Sequence, residues 1–190
     1  LREVLTILAD RTTPAQHADW VAGTTAMRQG YTPDLRDPHS VPDPLAILQT
    51  LRRLTDEDTI VATDVGQHQM WTAQHFPLTR TRTLLSSGGL GTMGYGLGAA
   101  IGGQFGCPDR RVVLVSGDGS FHMNLNELTT LASYNLPIVV LVMNNRVLGM
   151  VRQWQDLFYE KRYSATVLDD GVDYVKLAEA MGATGYRATT

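Results

Sequence analysis

The chain has 190 residues, 43% of them hydrophobic and 18% charged, and with 18 glycines it is typical of a globular α/β domain with additional segments. The net charge of −3 gives no reason to expect nucleic acid or an anionic membrane as a partner, and no stretch approaches the roughly 20 apolar residues of a membrane-spanning helix. The single cysteine excludes an internal disulfide framework and fits a reducing compartment, so we expect a cytoplasmic location, or an organellar one in a eukaryote.

The first part of the chain predicts a helix, a proline-rich linker and a second helix. Residues 1–8 have the apolar spacing of a helix, and a polar stretch follows as far as Trp20. Residues 30–44 carry four of the eight prolines, which indicates a linker and a domain boundary. Residues 45–54 predict a helix that begins after Pro44. The apolar face of that helix is formed by Leu45, Leu48, Leu51 and Leu54.

From residue 59 onward, short apolar runs alternate with helical patterns. The predicted strands are 59–63, 83–85, 111–116 and 137–143, and a further strand begins at 185–187. The predicted helices are 67–75, 93–105, 124–133 and 173–181. This alternation predicts an α/β fold: a doubly wound parallel sheet with helices on both faces. In such sheets ligands bind beyond the carboxyl ends of strands, which is where the clusters of Gly, Asp, Ser and Asn fall.

Two polar clusters at neighbouring strand ends indicate a metal site. Gly117-Asp118-Gly119 ends one apolar run, and Asn144-Asn145 ends the next. Parallel strands bring these ends to one edge of the sheet, where carboxylate and amide oxygens can hold Mg²⁺ beside waters and a diphosphate. Ser120 offers a hydroxyl and an amide to a phosphate oxygen near the start of a helix. The alternative is an ordinary strand-to-helix turn in which Asp118 acts only as a cap.

Another polar cluster, Gly66-Gln67-His68, ends the first strand of this region. Gly66 permits close approach of a ligand to the backbone, and the two following side chains are donors at a helix N-terminus. This arrangement suits a diphosphate. The alternative for His68 is a position on the surface of a loop.

Two further segments have more than one interpretation. The glycine-rich loop at 88–94 lacks the lysine of a P-loop and the spacing of a dinucleotide motif, but its backbone can lie against a flat ring. Met93 is then either an apolar wedge beside that ring or ordinary core packing. Residues 150–155 include Arg152 and Trp154, which form either one wall of a substrate pocket or part of an amphipathic surface helix.

Taken together, these segments resemble thiamine-diphosphate enzymes of the pyruvate-decarboxylase-like group, most closely the catalytic large subunits of the acetolactate synthase (acetohydroxyacid synthase) family. The Gly-Asp-Gly run at 117–119 with the Asn pair at 144–145 marks the whole group. The runs GQHQMW at 66–71, SGGLGTMGYG at 87–96 and GMVRQW at 149–154 are narrower and are similar to the synthase. The resemblance covers residues 45–190.

The resemblance implies a role for each cluster. Residues that would bind Mg²⁺ are Asp118, Asn145 and Val147, the last through its backbone carbonyl. Residues that would line the diphosphate are Gly66, Gln67, His68, Gly117, Gly119, Ser120, Gly149 and Met150. Gly91 and Met93 would support the pyrimidine ring of the cofactor. Met150 and Trp154 would line the substrate pocket, and Trp154 would favour 2-ketobutyrate as the second substrate.

Two departures from the family pattern should have little effect. Gly98 stands where the family usually has proline, near the start of a helix. Val147 stands where some members have glutamate, but only its carbonyl would be needed.

The activity implied by the resemblance is Mg²⁺-dependent decarboxylation of pyruvate and condensation with pyruvate or 2-ketobutyrate. The products would be 2-acetolactate and 2-aceto-2-hydroxybutyrate, in the biosynthesis of valine and isoleucine. The family also implies FAD, bound mostly by a central domain, and a glutamate on an N-terminal domain that activates the cofactor. A homodimer or tetramer and a regulatory small subunit are further expectations.

We therefore expect residues 1–29 to be the tail of a central domain, 30–44 a linker, and 45–190 a diphosphate-binding domain that is truncated at its C-terminus. No catalytic residue is expected in this chain, because the activating glutamate belongs to another domain, and the chain alone should be inactive. The alternatives are a sister enzyme, such as glyoxylate carboligase or pyruvate oxidase, and a non-catalytic cofactor-binding module.

Overall fold

The computed structural model describes residues 1–12, 17–30, 43–168 and 171–189, without the side chain of Arg28. The chain divides into two units, Leu1–Leu35 and Arg36–Thr190. The first unit contains two helices, α1 (Arg2–Arg11) and α2 (Ala18–Gly30). Helix α1 agrees with the helix predicted at 1–8.

Helix α2 is not predicted from the sequence, which indicates a polar stretch over its beginning. The large apolar side chains of this helix, Trp20, Val21 and Met27, are all exposed, so no buried stripe marks it. The predicted linker at 30–44 lies mostly outside the described residues. That linker and the proposed domain boundaries stay predictions.

The second unit alternates helices and strands along the chain. Its strands are β1 (Ile60–Thr63), β2 (Leu84–Ser86), β3 (Val112–Gly117) and β4 (Val139–Met143). Its helices are α3 (Pro44–Arg53), α4 (Gln67–His75), α5 (Tyr95–Gly106), α6 (Asp118–His122), α7 (Leu128–Ser133), α8 (Gly149–Phe158) and α9 (Tyr174–Ala180), with a 3₁₀ turn at Leu125–Glu127. No helix in the described part of the chain is long and apolar enough to cross a membrane.

The four strands form one parallel sheet in the order β2-β1-β3-β4. In the register, Val61 pairs with both Leu84 and Val113, and Val115 pairs with Leu141. The chain runs from β1 to β2 on one side and then returns to place β3 on the other side of β1. The carboxyl ends of β1 and β3 therefore flank the topological switch point, the place where ligands bind in open α/β sheets.

Helices cover both faces of this sheet, which confirms the predicted α/β fold. Ile60 and Val112 point into a core shared with Leu97 and Ala100 of α5. Val61, Val113 and Val115 point into the opposite core. The other members of that second core are Leu48 of α3 and Phe76, which ends α4. Neighbouring residues in a strand thus enter opposite layers, as the two-residue period of a strand requires.

Three expectations differ from the structure. Residues 185–187 form no strand, because Gly185 packs onto α9 instead, where a Cβ would lie 2.8 Å from the carbonyl oxygen of Val175. The side chain of Leu54 is 65% exposed, because α3 ends one residue earlier and turns this leucine away from the apolar face. The helix predicted at 124–133 begins as the 3₁₀ turn Leu125–Glu127 and is α-helical only from Leu128, and the short helix α6 directly after β3 is not predicted.

Helix α5 approaches the end of β1 so closely that no side chain fits at Gly96 in its first turn. A Cβ on Gly96 would lie 2.9 Å from the backbone nitrogen of Asp64 and 2.7 Å from the Cδ1 atom of Leu114. Gly102, six residues further along the same helix, is exposed and would place a Cβ in open space. The two glycines therefore differ in packing within one helix.

We predict opposite effects of the same substitution at these two positions. Gly96→Ala should lower the free energy of unfolding by about 1–3 kcal/mol, because a rigid backbone blocks the new methyl group. Gly102→Ala should raise it by about 0.5–1 kcal/mol, because alanine loses less conformational entropy than glycine in a helix. Urea denaturation of the two variants measures both changes. Equal destabilisation by both would contradict the close approach of α5 to β1.

Candidate functional site

A cavity lies where the carboxyl ends of β1, β3 and β4 meet. The predicted site residues in its wall are Gly66, Gln67, His68, Met93, Gly117, Asp118, Gly119, Ser120, Asn145, Val147, Gly149 and Met150. The structure thus brings twelve predicted residues from distant parts of the chain to one place, and leaves Gly91 and Trp154 outside that wall.

The carboxylate of Asp118 joins the ends of β3 and β4. Its Oδ1 accepts a hydrogen bond from the Gly119 backbone N–H at 3.0 Å, and its Oδ2 accepts one from the Arg146 N–H at 2.6 Å. Asp118 is 3% exposed. Burial raises the pKa of this carboxyl above its ordinary value, and the two backbone hydrogen bonds act in the opposite direction. A cation at this carboxylate would relieve the cost of keeping a buried charge.

The β4 loop (residues 144–148) carries the other proposed metal ligands and is held from behind. The Oδ1 atom of Asn145 accepts the backbone N–H of Val147 at 3.2 Å, which forms a tight local turn. Residues 166–168 lie antiparallel to the loop, with Leu148 donating to the Thr166 carbonyl and Leu168 donating to the Arg146 carbonyl. This support fixes the shape of the loop, although the sequence pattern assigns residues 166–168 no role.

The donor atoms available here suit Mg²⁺. In the described part of the chain, no three His, Cys, Asp or Glu side chains cluster as a metal cage would need. The proposed ligands are instead one carboxylate, one amide oxygen and one backbone carbonyl, and the oxygens of Asp118 and Asn145 each keep a lone pair beyond their present hydrogen bonds. Such a sparse oxygen set is typical of Mg²⁺, which keeps waters and binds substrate phosphates.

Two glycines of the cavity wall are packed against side chains that leave no room for a Cβ. A Cβ on Gly149 would collide with the Oε1 atom of Gln67, and one on Gly119 would lie 2.6 Å from a methyl group of Leu148. The Gln67 amide also donates to the Oε1 atom of Gln153 at 3.2 Å, which links α4 to α8 across the cavity.

Ser120 differs from its predicted role. Its side chain is buried, and the hydroxyl donates to the carbonyl oxygen of Val65, tying α6 to the end of β1. A hydroxyl proton that is used in this way is not available to a phosphate oxygen. The backbone amide is the donor of Ser120 that a ligand could use.

His68 is a buried residue of the cavity wall rather than a surface histidine. Its ring packs between Gly66 and Gly117, and a Cβ at either glycine would lie 2.8 Å from a ring atom. Burial lowers the pKa of His68 from 6.5 to about 4, and a backbone hydrogen bond with Asp64 partly opposes this shift. The Nε2 atom is buried and has no hydrogen-bond partner among the described residues. A phosphate oxygen could accept a hydrogen bond from this nitrogen only when the ring is protonated, so an anionic ligand here would raise the pKa of the ring.

The glycine-rich loop places Met93 in the cavity wall but not Gly91. Gly91 adopts a positive φ of 62°, and its N–H donates to the Ser87 carbonyl at 3.1 Å. Its contribution is therefore the shape of the turn. Met93 is half-buried and reaches Gly119, with its Cε atom 3.9 Å from where a Cβ on that glycine would lie. This position favours the apolar wedge over ordinary core packing.

Helix α8 presents Met150 to the cavity and Trp154 to its outer surface. Trp154 is 59% exposed and makes an edge-to-face contact with Phe158, with ring centroids 5.5 Å apart. Helix α8 is thus an exposed helix that contributes one end to the wall of the cavity, and the substrate-pocket role of Met150 and Trp154 stays a prediction.

Asp64 is a buried side chain at the end of β1 to which the sequence pattern assigns no role. Its carboxylate accepts three backbone N–H groups, from Val65, Gly94 and Gly96. The available signal is its position, because it is an acidic residue directly after a buried strand at the same sheet edge as Asp118.

We predict that His68 titrates near pH 4 in the ligand-free protein and at a higher pH when Mg²⁺ and pyrophosphate are added. Its histidine signal in an NMR titration, assigned with a His68→Gln variant, measures both values. Because the unfolded chain protonates His68 near pH 6.5 and the folded chain does not, this residue should also reduce stability as pH falls from 6.5 towards 4. A ligand-free titration between pH 6 and 7 would contradict the burial of the ring.

Comparison with known proteins agrees with this site. A family model described as "Thiamine pyrophosphate enzyme, C-terminal TPP binding domain" matches residues 64–190. The acetolactate synthase isozyme 2 large subunit of Escherichia coli is 45% identical over 184 residues, which is 93% of this chain and 32% of that protein. The isozyme 3 large subunit of the same organism is 50% identical over 142 residues, 75% of this chain and 25% of that protein.

A relative from Parasynechococcus marenigrum, named acetolactate synthase large subunit, is 43% identical over 190 residues, 100% of this chain and 30% of that protein. The chain thus spans between a quarter and a third of the length of these three relatives. The matched range begins directly after β1 and includes the ends of β3 and β4 and every predicted residue of the cavity wall. The chain belongs to the thiamine pyrophosphate enzymes and corresponds to their C-terminal TPP-binding domain.

Proposed function

We propose that this chain is the cofactor-binding part of an acetolactate synthase large subunit, and that it holds Mg²⁺ and the diphosphate of thiamine diphosphate. The observation that carries the proposal is the meeting of Asp118, the β4 loop and the unpartnered Nε2 of His68 in one cavity. The relatives that match most of the chain are named as large or catalytic subunits of this synthase, which supports the choice within the family.

Different residues would bind different parts of the cofactor. The proposed Mg²⁺ ligands are Asp118, Asn145 and the carbonyl of Val147. The proposed diphosphate contacts are Gly66, Gln67, His68, Gly117, Gly119, Ser120, Gly149 and Met150. Gly91 shapes the loop that places Met93 against the pyrimidine ring. When bound, thiamine diphosphate supplies the electron sink that decarboxylation of a 2-keto acid requires.

The chain itself contributes orientation and a water-poor environment. The absence of a side chain at Gly119 and Gly149 lets Leu148 and Gln67 pack into the wall, and Leu148 and Met93 make part of that wall apolar. Exclusion of water strengthens each polar contact to the cofactor. In the whole enzyme, the proposed reaction joins pyruvate with a second molecule of pyruvate or with 2-ketobutyrate.

The remaining parts of the proposal concern the whole protein. FAD and the glutamate that activates the cofactor would be bound or supplied by other domains. The name "large subunit" of the relatives supports a smaller partner subunit. A homodimer or tetramer, and the biosynthesis of valine and isoleucine as the biological role, follow from the same proposal.

Asp118→Asn should weaken binding of thiamine diphosphate by more than about 100-fold, because it removes the only charged protein ligand proposed for Mg²⁺. Loss of a residue that only supports a metal ligand already lowers metal affinity by about 10- to 100-fold. Calorimetric titration of the full-length protein at several Mg²⁺ concentrations measures the change. Asp109→Asn, the same substitution at an exposed turn, is the matched control. An Asp118→Asn variant that retains Mg²⁺-dependent affinity would refute the metal assignment.

Product analysis tests the proposed reaction and the proposed role of Trp154. Given pyruvate and 2-ketobutyrate, the full-length protein should form 2-aceto-2-hydroxybutyrate in preference to 2-acetolactate. Trp154→Leu should reduce that preference by about 10-fold, the typical effect of a lost apolar contact on substrate choice. Tyr186→Leu, at an exposed aromatic side chain away from Trp154, should leave the ratio unchanged. Formation of acetaldehyde or acetyl phosphate instead would indicate a sister enzyme.

A further inference from the structure

The carboxylate of Asp64 is a buried acceptor for three backbone N–H groups from two different segments. Its Oδ1 accepts the N–H of Val65 at 2.8 Å and the N–H of Gly94 at 2.8 Å. Its Oδ2 accepts the N–H of Gly96 at 3.2 Å. Asp64 is 1% exposed, and its own backbone N–H donates to the Val115 carbonyl of β3 at 3.0 Å. The residue is thus fixed to the sheet and in turn fixes its neighbours.

These donors belong to opposite ends of the proposed cofactor site. Val65 leads directly into Gly66 and His68, which are proposed to contact the diphosphate. Gly94 follows Met93, which is proposed to support the pyrimidine ring. A single oxygen atom of Asp64 therefore connects the two segments that a bound thiamine diphosphate would contact at the same time.

The close approach of the glycine-rich loop and α5 makes this connection short. Gly94 has a positive φ of 87°, and a Cβ there would lie 3.1 Å from the Cβ of Met123. A Cβ on Gly96 would lie 3.0 Å from the Cβ of Asp64. Because no side chain intervenes, a movement of the Asp64 carboxylate is passed directly to the backbone that carries Met93.

We propose that Asp64 is a positioning residue that fixes the separation between the diphosphate end and the ring end of the cofactor site, a role that rests on the proposed function. Asp64 is not in the cavity wall and acts through Val65 and Met93. The hydrogen bonds that hold the β4 loop to Asp118 do not involve Asp64. The proposed metal ligands should therefore keep their places when the Asp64 contacts are lost.

The role requires a carboxylate rather than an amide. An ionised carboxylate has only acceptor sites, and here it faces three N–H donors. Asparagine has nearly the same shape but would turn an NH₂ group towards at least one of those donors. The Asp64→Asn variant should therefore displace the glycine-rich loop without opening a cavity at the end of β1.

The test compares two ligands in the full-length protein at saturating Mg²⁺. Asp64→Asn should weaken thiamine diphosphate by about 10- to 100-fold, the usual range for a lost supporting residue. Magnesium pyrophosphate, which occupies only the diphosphate end, should bind within about threefold of wild type, measured by competition with thiamine diphosphate. Asp109→Asn should change neither affinity. A purely structural role would weaken both ligands equally, and that result, or no change for either, would overturn the proposal.

A second measurement needs no variant. Hydrogen exchange in the ligand-free wild-type protein should show slow exchange of the Gly94 and Gly96 amides, because Asp64 holds them before the cofactor binds. Rapid exchange at both amides would overturn the proposal even if Asp64→Asn failed to fold. Failure of the wild-type protein to bind thiamine diphosphate would instead overturn the proposed function, and with it this role.

Discussion

The parallel pairing of β1 with β3 is the constraint on which the site depends. This pairing sets Thr63 opposite Val115, so the two strands end side by side and their following segments must share one edge of the sheet. The side of the sheet to which the next strand is added reverses between these two parallel strands, so the helices that follow β1 and β3 leave on opposite faces. A gap opens between those two helices. The Gly66–His68 segment and the Gly117–Ser120 segment face each other across that gap, and the pairing of β3 with β4 adds the β4 loop.

The polar groups at this edge suit a ligand, and their burial reduces the stability of the ligand-free protein. Asp64 and Asp118 are both buried, and each is held by backbone N–H groups rather than by a cationic side chain in the described contacts. His68 is buried with one ring nitrogen unpartnered, a state that costs free energy until something satisfies it. Binding of Mg²⁺ and a diphosphate would offset these costs, so cofactor binding and local stability should be linked.

Much of this architecture could be predicted from the sequence because it is encoded locally. Apolar runs that end in Gly, Asp or Asn identified the parallel strands, and the parallel topology then brought Asp118 to the β4 loop. The roles of Asp64 and Ser120 could not be read in this way, because their partners lie 30 to 55 residues away in the chain. The direction of Trp154 depends on how α8 is rotated, and the contact between Gln67 and Gln153 that helps set it spans 86 residues. Residues 185–187 have a strand-like sequence but form no strand, and Gly185 packs on α9 instead, a choice that only the tertiary structure decides.

The most direct measurement of the central claim is anomalous diffraction from crystals of the full-length protein grown with thiamine diphosphate and Mn²⁺ in place of Mg²⁺. We expect one strong manganese peak at this edge of the sheet. It should lie about 2.1 Å from an oxygen of Asp118, from Asn145 Oδ1 and from the Val147 carbonyl, and diphosphate and water should fill the remaining coordination positions. A manganese peak that lacks Asp118 among its ligands, or a diphosphate bound away from His68 and Gly119, would contradict it.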